Sequence, residues 1–485
     1  MNTLDNLQPA TVFSYFKKIC DIPHGSGNTQ MISEYCVNFA KDHGLWYRQD
    51  ESGNVIIRKP ATAGRETDKG IVIQGHLDMV AVKDADSKHD FGKDPLDLVI
   101  DGDYLYAKGT SLGGDDGIAI AYALAILDSD TISHPQIEAV FTVDEEIGLL
   151  GAAALDMSDV TGSYLLNIDS EEEGVLLVSC AGGLSGYISL PVKRCSCAGT
   201  LVKVSVDGLL GGHSGVEIDR ERCNAIKLMG RLFFDLHQQF DFKLLSLTGG
   251  EKDNAIAKYC EAHLVVYSEK VRELVGVIDN FEKIYLNEYR ASDSGLRLDV
   301  DIVEDVLDKA CVSGVYLEKV IFLLRQLPYG VMHRSVEIEG LVETSMNLGI
   351  LKMSDDDDEL ALTVSLRSSE NTRKKELNDK VCYLVEFLGG SYSTSGEYPA
   401  WPYRSDSEIR PKMTEIYSKM FGKELKVEAI HAGLECGILL EKKPELDAVS
   451  FGPDILDIHT AKERLCISSV ERMWRYLVEV IEHVL

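Results

Sequence analysis

The sequence is short of positive charge. Its 485 residues carry 49 Lys+Arg against 79 Asp+Glu, a formal net charge of -30. Nucleic-acid binding relies on basic side chains that neutralise phosphates, so no nucleic-acid partner is expected. Docking on anionic membranes is disfavoured for the same reason. Long apolar runs are absent too. No stretch approaches the roughly 20 residues that span a bilayer. The opening MNTLDNLQPATVFSYFKKIC lacks a basic segment followed by an apolar one, which argues against a secretory leader. The 11 cysteines include no CxxC, and Cys195 and Cys197 are too close for an ordinary framework disulfide. Reduced cysteines and a cytoplasmic location are therefore expected.

What is present describes a folded protein. A 45% hydrophobic and 26% charged composition fits globular chains. The length exceeds one ordinary core, so two or more domains are expected. Most of the acidic excess reads as a solvated surface. Carboxylates are also the hard ligands that divalent cations need.

Apolar periodicity predicts two helices within residues 11–46, broken around Pro23, Gly25 and Gly27. Short apolar runs predict strands at 53–60, 70–80, 137–143 and 163–169, with an Ala-rich helix at 117–129. Strands alternating with helices indicate an α/β fold with a mostly parallel sheet. The texture changes near residue 185. Two-residue alternation at 341–353 and 359–369, joined by the acidic turn Asp355–Asp358, fits an antiparallel sheet. The α/β texture returns near the end, with LDAVSFGP and a helix at 467–484. The expected organisation is a first domain part over 1–187, an inserted α+β domain over 188–394 and a second part over 395–485.

Polar residues collect where the predicted strands end. In His76-Leu77-Asp78 the i and i+2 side chains of an extended segment share a face. His76 can then bind a metal while Asp78 accepts the proton of the other ring nitrogen. Alone the motif is weak, because a histidine at a strand end is usually structural. Gly113-Gly114-Asp115-Asp116-Gly117 opens a helix, where either aspartate could simply be a cap. Asp144-Glu145-Glu146 and Asp169-Ser170-Glu171-Glu172-Glu173 each follow a strand, and His459 follows Phe451-Gly452-Pro453. Together they supply two histidines and several carboxylates. That N/O set suits zinc, cobalt or manganese.

An ordered series of segments resembles the aminoacyl-histidine dipeptidases, also called cytosol non-specific dipeptidases. These sit within a dinuclear-zinc group that includes aminoacylases, tripeptidases and carnosinases. The series runs IPHGSG, GNVIIRKPATAG, VIQGHLDMV, GTSLGGDDGIAIA, DEEIGLLGA, LLNIDSEEEG, SCAGG, GLLGGHSGVEI, HAGLECG and HTAKERLCI, spanning essentially the whole chain. The resemblance implies a zinc-exopeptidase catalytic domain with an inserted lid and dimerisation domain. It implies two metal ions: His76 and Asp169 at one, Glu146 and His459 at the other, and Asp115 bridging both. Glu145 would be the general base and Asp78 the partner of His76. His213 of GGHSG would polarise the scissile carbonyl, from the partner subunit of a homodimer. Arg367 would bind the substrate carboxylate, Glu435 the substrate amine, and Asn254 would be a further substrate contact. The implied reaction is hydrolysis of dipeptides, Xaa-His and β-alanyl-histidine included, by a water held between two zinc ions.

Other residues read more plainly. Cys436 is a packing residue, Glu171–Glu173 a solvated or supporting loop, and His24 structural. Asp116 stands where the family commonly has Asn, which tunes charge without touching the ligand set. Two alternatives use the same residues: an N-acyl amino-acid amidohydrolase, and a non-catalytic, dimeric metal-binding scaffold. Glu145 argues against the scaffold, which has no need of a base.

Overall fold

The computed structural model describes Leu4 and residues 6–483. The chain forms two compact units. The first comprises Met1–Cys180, Tyr403–Ala429 and Leu434–Leu485; the second comprises Ala181–Pro402 and Ile430–Gly433. The first crossing falls at 180/181, before the change in texture near 185, because Gly182–Pro191 is already a strand of the second unit's sheet. The short return at 430–433 has no signature in composition. It is held by Ala181, whose N–H donates to the carbonyls of Ile430 (3.1 Å) and Ala432 (3.0 Å).

The first unit is built on an eight-stranded sheet. Its order is Trp46–Gln49, Val55–Lys59, Ile137–Thr142, Ile71–His76, Tyr164–Asn167, Asp447–Ser450, Val175–Cys180 and Lys426–Ile430. The four strands from Ile137–Thr142 to Asp447–Ser450 run parallel, with antiparallel strands outside them. Strands Ile71–His76 and Ile137–Thr142 are buried throughout, as continuous apolar runs in a covered parallel sheet should be. Helix Gly114–Asp128 is buried from Gly114 to Leu127 and lies against this sheet. Close approach is possible because Gly75 has no side chain; a Cβ there would stand 2.6 Å from both the Ala119 Cβ and the Asp116 Oδ2. Helix Ala10–Cys20 packs Phe16 and Ile19 where a Gly117 Cβ would lie. The closing helix Ile467–His483 buries Val470, Met473, Leu477, Val480 and Ile481, a stripe of three- and four-residue steps. No helix of the described residues is long and apolar enough to cross a membrane.

The second unit contains a nine-stranded sheet whose recorded pairings are all antiparallel. Its hairpin pairs Val342–Met353 with Glu359–Ser368 around the exposed turn Asp355–Asp358. Helices Ala225–His237, Val271–Glu288, Gly314–Gln326 and Asn371–Phe387 supply the rest of the core with Val202, Val204 and Val206. The alternate residue Leu201 joins a smaller cluster with Leu245, Val265, Val306 and Cys311. Cys197 and Cys311 face each other across strands Arg194–Asp207 and Arg297–Val312, with Cα atoms 6.3 Å apart. The two are 114 residues apart, so only strand pairing could bring them together.

Candidate metal centre

Parallel register places the polar residues at one edge of the first unit's sheet. His76 lies opposite Thr142, while Asn167 lies opposite both Gln74 and Ser450. The strands therefore end together. The residues that continue past those ends are Asp144–Glu146, Asp169 and the loop bearing His459. Catalytic and ligand sites in open α/β sheets collect at this carboxyl edge.

Asp115 stands between two imidazoles. Its Oδ1 is 3.0 Å from His76 Nε2, and its Oδ2 is 3.2 Å from His459 Nε2. Each histidine has a second carboxylate. Asp169 Oδ1 is 3.7 Å from His76 Nε2, and Glu146 Oε1 is 3.0 Å from His459 Nε2. Two donor groups result: His76, Asp115 and Asp169 on one side; His459, Asp115 and Glu146 on the other. Asp115, Glu146 and His459 offer ligand atoms within 4.8 Å of one another, as do His76, Glu145 and Glu146. His76 is 1% exposed and Asp115 and Asp169 are 8% exposed, whereas the His459 side chain is 47% exposed.

The electrostatics explain why such a cluster calls for cations. Burial pushes the carboxyls of Glu145, Glu146 and Asp169 up, and neighbouring acids add to the effect. Burial opposes charge on His76, yet its bonds to Asp115, Asp169 and Asp78 hold its pKa well above the usual imidazole value. Hydrogen bonds to Asp115 and Glu146 raise His459 to about 10. Burial also works against an ionised Asp115, but the two imidazoles outweigh it and hold the carboxyl below its usual range. The histidine protons thus supply positive charge that divalent ions would supply instead. Imidazole nitrogen and carboxylate oxygen in this grouping fit two such ions.

The supporting residues divide the work differently from the simplest reading of HxD. His76 Nδ1 is 3.0 Å from the backbone carbonyl of Asp78 and 3.6 Å from its carboxylate. The carbonyl accepts the ring proton and directs Nε2 towards Asp115. The Asp78 carboxylate accepts the N–H groups of Glu145 (2.9 Å) and Glu146 (3.3 Å) and the Ser26 hydroxyl (2.8 Å). It fixes the loop that presents both glutamates. Asp144, at φ 54°, accepts the Gly27 N–H at 2.7 Å and holds the same loop from the other side.

Two buried acids have larger roles than the sequence reading assigned. Asp116 shares a cluster with His76 and Asp169, but its Oδ2 accepts the His76 backbone N–H at 3.1 Å. Glu463 accepts backbone N–H groups from the turn that carries Asp115. Its position four residues after His459 was the available signal. Of the solvated and supporting readings of Glu171–Glu173, Glu171 and Glu173 fit the second, while Glu172 is exposed. Glu173 grips Arg472 through two hydrogen bonds of 2.6 and 2.7 Å, and burial raises Glu171 to about 8. Cys436 is fully buried, and His24 is buried with Nδ1 2.6 Å from the Ile22 carbonyl.

Glu435 forms part of the floor of the first unit. It is fully buried, and its Oε2 accepts from Gln74 Nε2 at 2.5 Å and Thr142 Oγ1 at 2.6 Å. Its Oε1 has no hydrogen-bond partner among the described residues. Burial raises its carboxyl to about 7.

The remaining named residues belong to the second unit. His213 Nδ1 accepts the N–H groups of Gly215 (3.1 Å) and Val216 (3.2 Å), so a neutral ring carries its proton on Nε2. Burial and Arg367 lower its pKa and keep it neutral. Arg367 Nη1 donates to the Tyr398 hydroxyl at 2.9 Å, while its buried Nε has no partner among the described residues. Asn254 is exposed; its carbonyl accepts the Ser214 N–H at 2.9 Å, which ties it to the His213 turn. His431, not singled out by sequence, lies 2.7 Å from Ser345 Oγ through Nε2.

The chain is similar to known proteins over its whole length. The profile of Peptidase family M20/M25/M40 matches residues 72–483. The cytosol non-specific dipeptidase of Escherichia coli K12 is 36% identical over 486 aligned residues, covering 100% of this chain and 99% of the relative. The crystal structure of aminoacylhistidine dipeptidase from Vibrio alginolyticus is 36% identical, with a TM-score of 0.92, covering 99% of this chain and 97% of that one. A tripeptidase from Staphylococcus aureus shares the fold at 17% identity and a TM-score of 0.55, with 99% of each chain covered. On this likeness over its whole length, the chain belongs to peptidase family M20/M25/M40.

Proposed function

We propose that this protein is a cytoplasmic, metal-dependent dipeptidase that cleaves Xaa-His substrates, β-alanyl-histidine among them. The observation that carries the reading is Asp115, whose two oxygens face two different imidazoles, each with a further carboxylate. Family membership and the names of the full-length relatives support the same activity. His76, Asp115 and Asp169 would hold one divalent ion, and His459, Asp115 and Glu146 the other. Zinc is the expected metal, with cobalt or manganese as substitutes. When bound, the pair supplies Lewis-acid activation of water and of the scissile carbonyl.

The chain's own groups do the rest. Glu145, as the carboxylate, takes a proton from the water that attacks the carbonyl carbon. It returns a proton to the leaving nitrogen as the C–N bond breaks. Asp78 keeps Glu145 in place through the backbone contact already described. His213 donates its Nε2 proton to the developing oxyanion, acting in a homodimer formed through the second unit. Arg367, with its planar fork of donors, binds the substrate carboxylate. Asn254 gives a further polar contact, and Glu435 Oε1 accepts from the substrate ammonium. Recognition of both termini selects very short peptides.

A dipeptide panel assayed on chelated and zinc-reconstituted protein tests this reading. Hydrolysis should require metal, favour free dipeptides over N-acetylated ones, and drop by at least about 100-fold in Glu145→Gln. Equal turnover of N-acetylated substrates would instead favour an N-acyl amino-acid amidohydrolase. Unchanged turnover in Glu145→Gln would remove the assigned base.

A further inference from the structure

The turn that carries Asp115 is gripped by one buried carboxylate. Glu463, 3% exposed, accepts four consecutive backbone N–H groups. Its Oε2 takes those of Leu112 (2.7 Å) and Gly113 (3.0 Å), and its Oε1 takes those of Gly114 (2.8 Å) and Asp115 (3.3 Å). These donors lie ahead of the regular helix: Asp115 (φ -83°, ψ 104°) and Asp116 (φ -119°, ψ 29°) are non-helical, so the chain turns before the helix proper begins. Gly113, at φ 69°, bends the chain so that these donors converge on one point. The geometry is that of a turn whose successive backbone N–H groups form an anion-binding concavity, already filled by a side chain of the same protein.

Glu463 comes from the segment that also delivers His459. Strands Ile455–Leu456 and Arg464–Cys466 pair antiparallel, and the loop between them is tight. Asp457 and His459 have φ of 55° and 59°, the Thr460 hydroxyl donates to the Asp457 carbonyl at 2.7 Å, and the Glu463 N–H donates to the Thr460 carbonyl at 3.2 Å. One loop therefore presents an imidazole to Asp115 Oδ2 and a carboxylate to the backbone beneath Asp115.

We propose that Glu463 is a positioning residue of the metal centre: it locks the Asp115 turn to the His459 loop and so sets the spacing of the bridging carboxylate and the second imidazole. Charge matters as well as shape. Four donors share two anionic oxygens, and an amide offers only one acceptor oxygen, so Gln cannot reproduce the grip. This inference rests on the metal-centre reading above.

Cobalt(II) titration of chelated protein separates the two ideas, with visible absorption and dialysed metal content as readouts. Wild-type protein should take up two ions; failure to do so would overturn the metal centre itself. Glu463→Gln and Glu463→Asp should each weaken cobalt binding by about 10- to 100-fold, the usual cost of losing support behind a ligand. Their ligand-field bands should shift, and KM for a dipeptide at saturating cobalt should stay near wild type. A purely structural Glu463 would lower the melting temperature of the metal-free protein and leave cobalt affinity and spectrum unchanged, which would overturn the proposal. If the Gln variant does not fold, the Asp variant decides by the same two readouts.

Discussion

At the scale of single residues, the polar groups of both units owe their character to burial and to specific partners. His431 shows this clearly outside the metal centre. Burial, with Arg367 nearby, lowers its pKa from 6.5 to about 3, so the folded protein holds a neutral imidazole. An unfolded chain would accept a proton there below about pH 6.5. Between that pH and about 3 the unfolded state binds more protons, and stability falls as pH falls. The slope from this one group is at most about 1.4 kcal/mol per pH unit. His431→Gln keeps an acceptor for Ser345 and removes the titration. Urea denaturation from pH 7 to pH 4 should show a shallower acid-side loss in the variant. Parallel losses in both proteins would assign the acid sensitivity to other groups.

At the scale of elements, the centre depends on a helix pressed against a strand. Gly75 lets helix Gly114–Asp128 approach strand Ile71–His76 so closely that Asp116 bonds the His76 backbone. Gly75→Ala would force a methyl group against Ala119 Cβ and Asp116 Oδ2, both at 2.6 Å. Overpacking of this kind costs about 1–3 kcal/mol. The same displacement should loosen His76 against Asp115. The variant is expected to melt at lower temperature and to need more zinc for half-maximal activity. A stable Gly75→Ala protein with unchanged zinc demand would mean that helix and strand can separate without disturbing the ligands. The strand ends, the Ala-rich helix and the 341–369 hairpin were legible in the sequence because periodicity is local. The 430–433 return was not, because backbone bonds to Ala181 decide it.

At the scale of the whole molecule, the second unit carries exposed apolar side chains that a monomer has little reason to keep. On strand Arg297–Val312, Val303 is 50% exposed and Leu307 is 88% exposed, each where the register with strand Arg194–Asp207 shifts. Contiguous exposed apolar surface commonly meets a second chain. The proposed homodimer would cover them. Sedimentation equilibrium should find wild-type protein dimeric at micromolar concentration, with Leu307→Asp weakening association by tenfold or more. A monomeric wild type would remove the dimer. An equally dimeric Leu307→Asp protein would move the interface elsewhere.

The sequence by itself determined which ligand types are present, that each follows a strand or opens a helix, and that an ordered series of motifs joins them. Those features rest on short-range spacing, which fixes backbone conformation and the face a side chain takes. Only the tertiary structure decided how the pieces meet. His459 and Asp115 are 344 residues apart, and their contact depends on strand order and on the loop that Glu463 pins. The same holds for the split of the HAGLECG motif between two units, and for Glu435, whose Oε2 is already taken by Gln74 and Thr142. Local rules say what a residue can do; long-range packing selects its partner.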